Sequence, residues 1–245
     1  MHEAYRFSPD LNPDLKSVVI SKEGGRWFAA VMAEIDHEQP LHNHRPAVGV
    51  DLGITDLATL STGEKIAGPK ALRSHLRKLA KLQRSHARKM KGGKNRARSR
   101  ARIAKLHARI RNIRQDSLHK LTTMLSRRFG SVAIEDLNVR GMMGNGRLAR
   151  AIADMGFYEF RRQLGYKLER AGGRLMVADR FFPSSKTCSG CHSKVDQLPL
   201  SVRSWTCATC GADHDRDINA AINLKNLAGS EGSNLRNSVR RSCRR

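Results

Sequence analysis

Apolar residues follow three different rhythms along the chain. Two short runs, SVVIS (Ser17 to Ser21) and RWFAAVMAEI (Arg26 to Ile35), flank Gly24 and Gly25, and two such runs about a Gly-Gly turn predict a β-hairpin. AVGVDLG is a buried-strand pattern closed by Gly53; DLATLS and KIAG lie either side of the turn TGEK. Three short strands in succession predict an antiparallel start to a mixed sheet. SVAIEDL (Ser131 to Leu137) and GRLMVADRFF read as two later strands.

From Lys70 to Gln115 the rhythm becomes helical. Leu72, Leu76, Leu79 and Leu82 recur on one face, MKGGKN interrupts, and Ile103, Leu106, Ile110 and Ile113 resume it, which predicts a helical hairpin with an apolar seam. A glycine-rich turn, GMMGNG, leads into an amphipathic helix from about Arg147 to Ala171, whose Met155, Tyr158, Leu164 and Leu168 are assigned to the core. The last helix opens at DRDINAA and sets Asp217, Ala220, Ala221, Leu224 and Leu227 on one face.

Charge adds a partner to this picture. The 245 residues carry 46 Lys and Arg against 22 Asp and Glu, a net +24. Lys70 to Gln115 holds 18 of those cations and no acid. A solvated helix usually mixes signs to gain i,i+4 pairs, so one-sign charge over two helices points to a polyphosphate backbone rather than to a merely hydrated surface. Arg73, Arg77, Lys81, Arg84, Arg88, Arg98, Arg102 and Arg109 are the expected contacts, with Arg216 beside Asp217. No apolar run approaches the roughly 20 residues that span a bilayer, and MHEAYRFSPD carries no apolar signal core, so no membrane partner is expected. The polar stretch HEQPLHNHRP, with His37, His42 and His44, reads as a linker.

Four of the five cysteines, Cys188, Cys191, Cys207 and Cys210, have the form C-x₂-C-x₁₅-C-x₂-C. Two knuckles with four soft thiolates suit tetrahedral zinc and leave no open coordination position, so the metal is expected to be structural. Metal thiolates in a chain without a secretion signal imply a reducing cytoplasm. His192 is expected to be exposed, and Cys243, in the Arg-rich tail, to be a bystander thiol.

Three acids occupy positions that a fold can bring together: Asp51 at the end of the first sheet strand, Glu135 near the end of a later one, Asp217 at the head of the last helix. The two alanines allow that helix to approach the sheet closely, and hard carboxylate oxygens without soft ligands suit magnesium. Each acid also has a plainer reading. Asp51 fits a turn before Gly53, Glu135 a rim charge, and Asp215 or Asp217 a helix cap. VGVDLG alone also resembles the phosphate-binding strands of sugar kinase-like ATPases, although the further phosphate loops such an enzyme needs are not visible.

Taken in order, VGVDLGITDLATL, RQDSLHKLTTML, VAIEDLNVRGM, FFPSSKTCSGC and WTCATCGADHDRDINAAINL resemble the TnpB family, also called OrfB: transposon-associated proteins related to type V CRISPR effectors. The likeness runs from about Lys16 to Leu227. It implies an α/β fold, an RNase H-like (RuvC) mixed sheet carrying an inserted basic helical hairpin and an inserted zinc ribbon, preceded by a remnant β-hairpin. The implied division is 1–45 hairpin and linker, 46–69 RuvC-like, 70–129 basic hairpin, 130–183 RuvC-like, 184–213 zinc ribbon, 214–228 RuvC-like and 229–245 basic tail. The family's catalytic acids match Asp51, Glu135 and Asp217, with Asp215 and Asn219 in support and Arg216 near the phosphate. The implied chemistry is DNA hydrolysis with Mg2+ or Mn2+ as catalytic ions and Zn2+ as structural ion, with DNA and a guide-type RNA as partners.

Relatives carry a further N-terminal region ahead of the hairpin, so the resemblance describes this chain as a short form. A binding module that holds nucleic acid without cutting it is the rival reading. A zinc-ribbon RNA-binding protein unrelated to transposition explains the charge and cysteines but not the three acids.

Overall fold

The computed structural model describes residues 14–34 and 45–227. The linker histidines, Ile35, Cys243 and the basic tail lie outside them. The chain divides into two units: one takes in residues 1–39 and 74–112, the other 40–73 and 113–245.

In the first unit β1 (Asp14–Glu23) pairs antiparallel with β2 (Arg26–Glu34) about Gly24 and Gly25, whose φ of 56° and 84° only glycine adopts without strain. β1 is longer than its apolar run suggested, starting three residues before Ser17 and ending two after Ser21. The unit also contains most of α1 (Ala71–Ala87) and the first half of α2 (Lys94–Arg128), the two helices of the basic hairpin. Its seam is as the spacing required: Leu79, Leu106 and Ile110 are buried, with Leu76, Leu82 and Ile103 half-buried. Arg96 closes the loop between the helices, donating to the Lys89 carbonyl at 2.8 Å. Arg111 pairs with Glu23, and Gly24 abuts the Ala108 methyl, so the strand turn rests on α2.

The second unit is built on a five-stranded sheet of order β5-β4-β3-β6-β7, from β3 (Ala47–Asp51), β4 (Asp56–Leu60), β5 (Lys65–Ala67), β6 (Ser131–Glu135) and β7 (Arg174–Ala178). β3, β4 and β5 pair antiparallel; β3, β6 and β7 pair parallel. Strand alternation then separates two faces. Val48, Val50, Val132 and Ile134 enter a large core with Leu118, Leu121 and Leu125 of α2. The same core takes Ile152 and Met155 of α4 (Ala149–Met155), and Phe160, Leu164 and Leu168 of α5 (Phe157–Arg170). Ala47, Gly49 and Ala133 point the other way, where Leu224 of α6 (residues 216–227) covers them together with Met176 and Ala178 of β7.

Those small residues set how closely α6 can lie. A Cβ on Gly49 would stand 1.9 Å from the Ala221 carbonyl oxygen and 2.5 Å from the Lys225 nitrogen, so helix backbone rests directly on strand backbone. Asp154, 3% exposed, ties the start of α1 to this unit: its carboxylate accepts from the backbone N–H groups of Leu72 (2.9 Å) and Arg73 (3.1 Å), with Arg114 at 3.3 Å.

Two expectations are corrected here. The helix expected from Arg147 to Ala171 is two helices, because Gly156 takes a left-handed φ of 71° and turns the chain between α4 and α5. Tyr158, assigned to the core, is 74% exposed. The restart at Gly156 turns Phe157 and Phe160 inward instead. The GMMGNG turn is also partly helical: α3 (Val139–Met143) starts where the Asn138 side chain accepts from the Gly141 N–H at 3.0 Å. Among the described residues no helix is long and apolar enough to cross a membrane.

The Gly49 contact is testable. Gly49→Ala should destabilise the protein by about 3 kcal/mol, since backbone rather than a flexible side chain must move. Denaturant melting measures it; a midpoint unchanged from wild type would contradict the close packing of α6.

Candidate active site and zinc ribbon

VGVD and VAIE have the same design: two bulky residues facing one core, a small residue between them facing α6, and an acid at the end on the small-residue face. The parallel register pairs Val50 with Ile134, so Asp51 and Glu135, each next along, end up side by side at the carboxyl ends of neighbouring strands. Asp217 enters from α6. Asp215 caps that helix, its Oδ1 accepting from the N–H groups of Asp217 and Ile218 at 3.0 Å each, while Lys65 of β5 holds its Oδ2 at 2.7 Å. Although burial raises the Asp215 carboxyl, the Lys65 ammonium and these backbone donors outweigh it, so its pKa lies below the ordinary carboxylate value.

Charge crowding is strongest at Asp51. Burial pushes its pKa from 3.8 up to about 8, and the neighbouring charges of Glu135 and then Asp217 add to the rise against the opposing pull of Arg216 and Arg203. Both other acids therefore lie close enough to be felt by Asp51. Their own partners differ: the Ser184 hydroxyl donates to Glu135 Oε1, and Arg203 Nη1 approaches Asp217 Oδ1 at 3.4 Å.

The four cysteines form a tighter group. Their sulfurs lie within 4.8 Å of one another, with Cys188 to Cys210 at 3.7 Å and Cys191 to Cys207 at 3.6 Å. Four ligands tetrahedral about a centre at a Zn–S distance of about 2.3 Å stand about 3.8 Å apart, so this cage has the size of a zinc tetrathiolate. The cluster can hold a metal such as zinc. The antiparallel pair β8 (Ser204–Thr206) and β9 (Asp213–Asp215) carries the second knuckle, with the Trp205 and His214 rings facing across it at 4.7 Å. His214 Nε2 lies 3.1 Å from Cys188 Sγ. His192 is exposed, and its backbone N–H donates to the Cys188 carbonyl at 2.9 Å.

α6 is coupled to this ribbon by two asparagines one turn apart. Asn219 accepts from the Ser189 N–H at 2.9 Å and donates to the Thr187 carbonyl at 2.7 Å; Asn223 donates to the Ser184 and Thr187 carbonyls at 2.8 and 2.6 Å. The loop between β7 and the first knuckle is thus fixed to the helix carrying Asp217, and its Ser184 reaches back to Glu135. Sequence reasoning named Asn219 but missed Ser184, Asn223, Lys65 and Arg203. Serine and asparagine at loop and helix positions are too common to stand out before their partners are known.

The eight expected cation contacts of the basic hairpin, seven on α1 and α2 and Arg88 in the loop between them, are all exposed. Arg216 differs from them. It is 8% exposed and its guanidinium donates to the Pro199 carbonyl at 2.7 Å, which makes it a fastener between α6 and the ribbon; the guanidinium beside Asp217 is that of Arg203.

Two family models match the chain. The OrfB model, described as "Probable transposase", covers residues 30–146, and the "Cas12f1-like, TNB domain" model covers residues 157–224. The chain belongs to the TnpB/OrfB family. A Streptomyces pristinaespiralis protein named "Putative RNA-guided DNA endonuclease" is 50% identical over 209 residues, 85% of this chain and 52% of that protein. An Escherichia coli (strain K12) protein with the same description, InsQ, is 33% identical over 235 residues, 90% of this chain and 58% of that protein. The chain spans about half the length of these curated relatives. A solved Cas12f1-sgRNA-target DNA complex shares the fold with a TM-score of 0.53 at 16% identity, over 85% of this chain and 55% of that one.

Two outcomes test the site. Because folded Asp51 keeps its proton up to about pH 8 while the unfolded chain releases it near pH 4, stability should fall as pH rises between those values. Asp51→Asn should therefore stabilise the magnesium-free protein at pH 8 by roughly 2–5 kcal/mol and hardly at pH 4. Equal melting of the two proteins at pH 8 would contradict the crowding. Separately, Cys207→Ser should release zinc and expose residues 184–227 to hydrogen exchange; wild-type protection there would mean that the cage does not support α6.

Proposed function

We propose that this chain is a transposon-associated, divalent-metal-dependent DNA endonuclease of the RuvC type, RNA-guided by ancestry. The observation that carries this reading is that Asp51 and Glu135 end neighbouring parallel strands and that the charges of Glu135 and Asp217 both act on the buried Asp51. Two plainer readings compete with it: the acids as caps and rim charges, or as a relic on a binding module. The cap of the last helix is Asp215, which leaves Asp217 without that task.

The donor set fits hard cations. Three carboxylates supply oxygen ligands without sulfur or imidazole, a donor set that suits Mg2+ or Mn2+. When bound, such ions provide a hydroxide nucleophile near neutral pH and neutralise charge at the leaving oxygen of a phosphodiester. The chain's own groups prepare for this: Asp51 gives up its proton as cations bind, Ser184 orients Glu135, and Arg203 on Asp217 is placed to exchange that acid for a phosphate oxygen. The ribbon's thiolates would hold Zn2+ and act through structure alone.

The exposed cations of α1 and α2 form the nucleic-acid face in this reading, for the DNA substrate and for a guide-type RNA. Relatives described as RNA-guided DNA endonucleases support both partners. Arg216 is withdrawn from that face, because its guanidinium is buried against the Pro199 carbonyl.

End-labelled single-stranded DNA with the purified zinc-loaded protein, in magnesium or manganese, tests the proposal. The expected result is metal-dependent cutting that Asp217→Ala lowers by at least about 100-fold. Tight binding by both proteins with cutting by neither would leave the binding module as the function. Binding should also weaken steeply between low and physiological salt, as several phosphates are neutralised; a flat response would remove the basic hairpin from the interface.

A further inference from the structure

Beside Glu135, on the side away from α6, lies a cleft of about 250 Å³ that none of the three acids requires. Its floor is apolar: Leu52, Ile134, Leu137, Val139 and Phe157. Its rim is cationic and aromatic. Arg140, Arg161 and Arg180 line it, and so does Tyr158, 74% exposed directly after the buried Phe157. Asp136, next to Glu135 in sequence, holds two of these guanidinium groups, Arg161 at 2.8 Å and Arg180 at 2.9 Å. Their donation holds its carboxyl below the ordinary value, Arg180 contributing most. One carboxylate between two arginines leaves the rim net positive, and Arg140 makes no ion pair among the described residues.

We propose that this cleft is a nucleotide subsite, in which the base flanking the scissile phosphate of a single-stranded DNA stacks on Tyr158 while Arg140, Arg161 and Arg180 hold the adjoining phosphates. The inference rests on the nuclease reading for its position but not for its chemistry. An apolar floor with a free aromatic face accepts any base, and surrounding guanidinium groups track the backbone; this pairing is how single strands are bound without sequence preference. The cleft is smaller than the about 300–1,000 Å³ of a small-molecule pocket, as suits one base rather than a cofactor. It opens on Glu135 itself, so a strand seated there would continue past the acids. Asp136 is a positioning residue: it fixes the planes of Arg161 and Arg180, leaving their remaining N–H groups for phosphate.

The test is binding of fluorescent single strands to the full zinc-loaded chain in magnesium-free buffer, using a short oligothymidylate and an abasic oligomer of the same phosphate count. Tyr158→Ala should weaken oligothymidylate binding about 5- to 150-fold, the range that one stacked base supplies, and leave the abasic oligomer unchanged. Tyr158→Phe should bind like wild type. Arg161→Gln should weaken both oligomers alike. Equal affinity of Tyr158→Ala and wild type for oligothymidylate, or equal losses on both oligomers, would overturn the subsite. Since Tyr158 is exposed, its truncation spares the core, and thermal melting checks that. Binding without magnesium is read independently of cutting: a stacking loss in a protein that fails to cleave keeps the subsite and removes the nuclease reading, whereas cleavage unaffected by Tyr158→Ala, with no stacking loss, does the reverse.

Discussion

Burial of the Asp51 carboxyl at the end of β3, with the charges of Glu135 and Asp217 acting on it, is the constraint that the packing of the second unit has to hold. Burial first, and then these neighbouring charges, hold the Asp51 proton to about pH 8. Such an arrangement persists only if the rest of the fold over-determines it, as strained functional sites generally require.

Three devices meet that requirement. Parallel pairing of β3 with β6 fixes Asp51 beside Glu135 as firmly as it fixes the core valines on the opposite face. The contact of Gly49 with the backbone of α6 brings Asp217 over the strand ends. The ribbon and the loop leading into it then hold α6 through Asn219, Asn223 and Arg216, so that the four-cysteine cluster is fastened to the helix carrying Asp217. A metal held by the four cysteines would suit this task, because its bonds would replace the apolar core that so few residues cannot build.

Much of this was legible in the sequence. The repeat of large, small, large, acid in VGVD and VAIE encodes both faces of the sheet and the ends that carry the acids. The cysteine spacing gave the cage, and the leucine and isoleucine spacing gave the seam of α1 and α2. What escaped depended on partners that only folding supplies. Gly156 read as one glycine inside a long amphipathic stretch, yet its left-handed backbone splits the helix and turns Tyr158 outward. Arg216, in a motif of acids and beside Asp217, looked like a phosphate ligand; burial against the Pro199 carbonyl gives it a different task. Ser184 carried no signal at all until the loop folded back on Glu135.

The central claim is that Asp51, Glu135 and Asp217 act as one cation site. Calorimetric titration of Mn2+ into the zinc-loaded protein at pH 7, repeated in buffers of different ionisation enthalpy, measures ions bound and protons released together. The account predicts Mn2+ binding accompanied by release of about one proton, from Asp51, with the release lost in Asp51→Asn and the binding weakened in Asp217→Ala. Mn2+ binding that releases no proton, or that is indifferent to both substitutions, would contradict it.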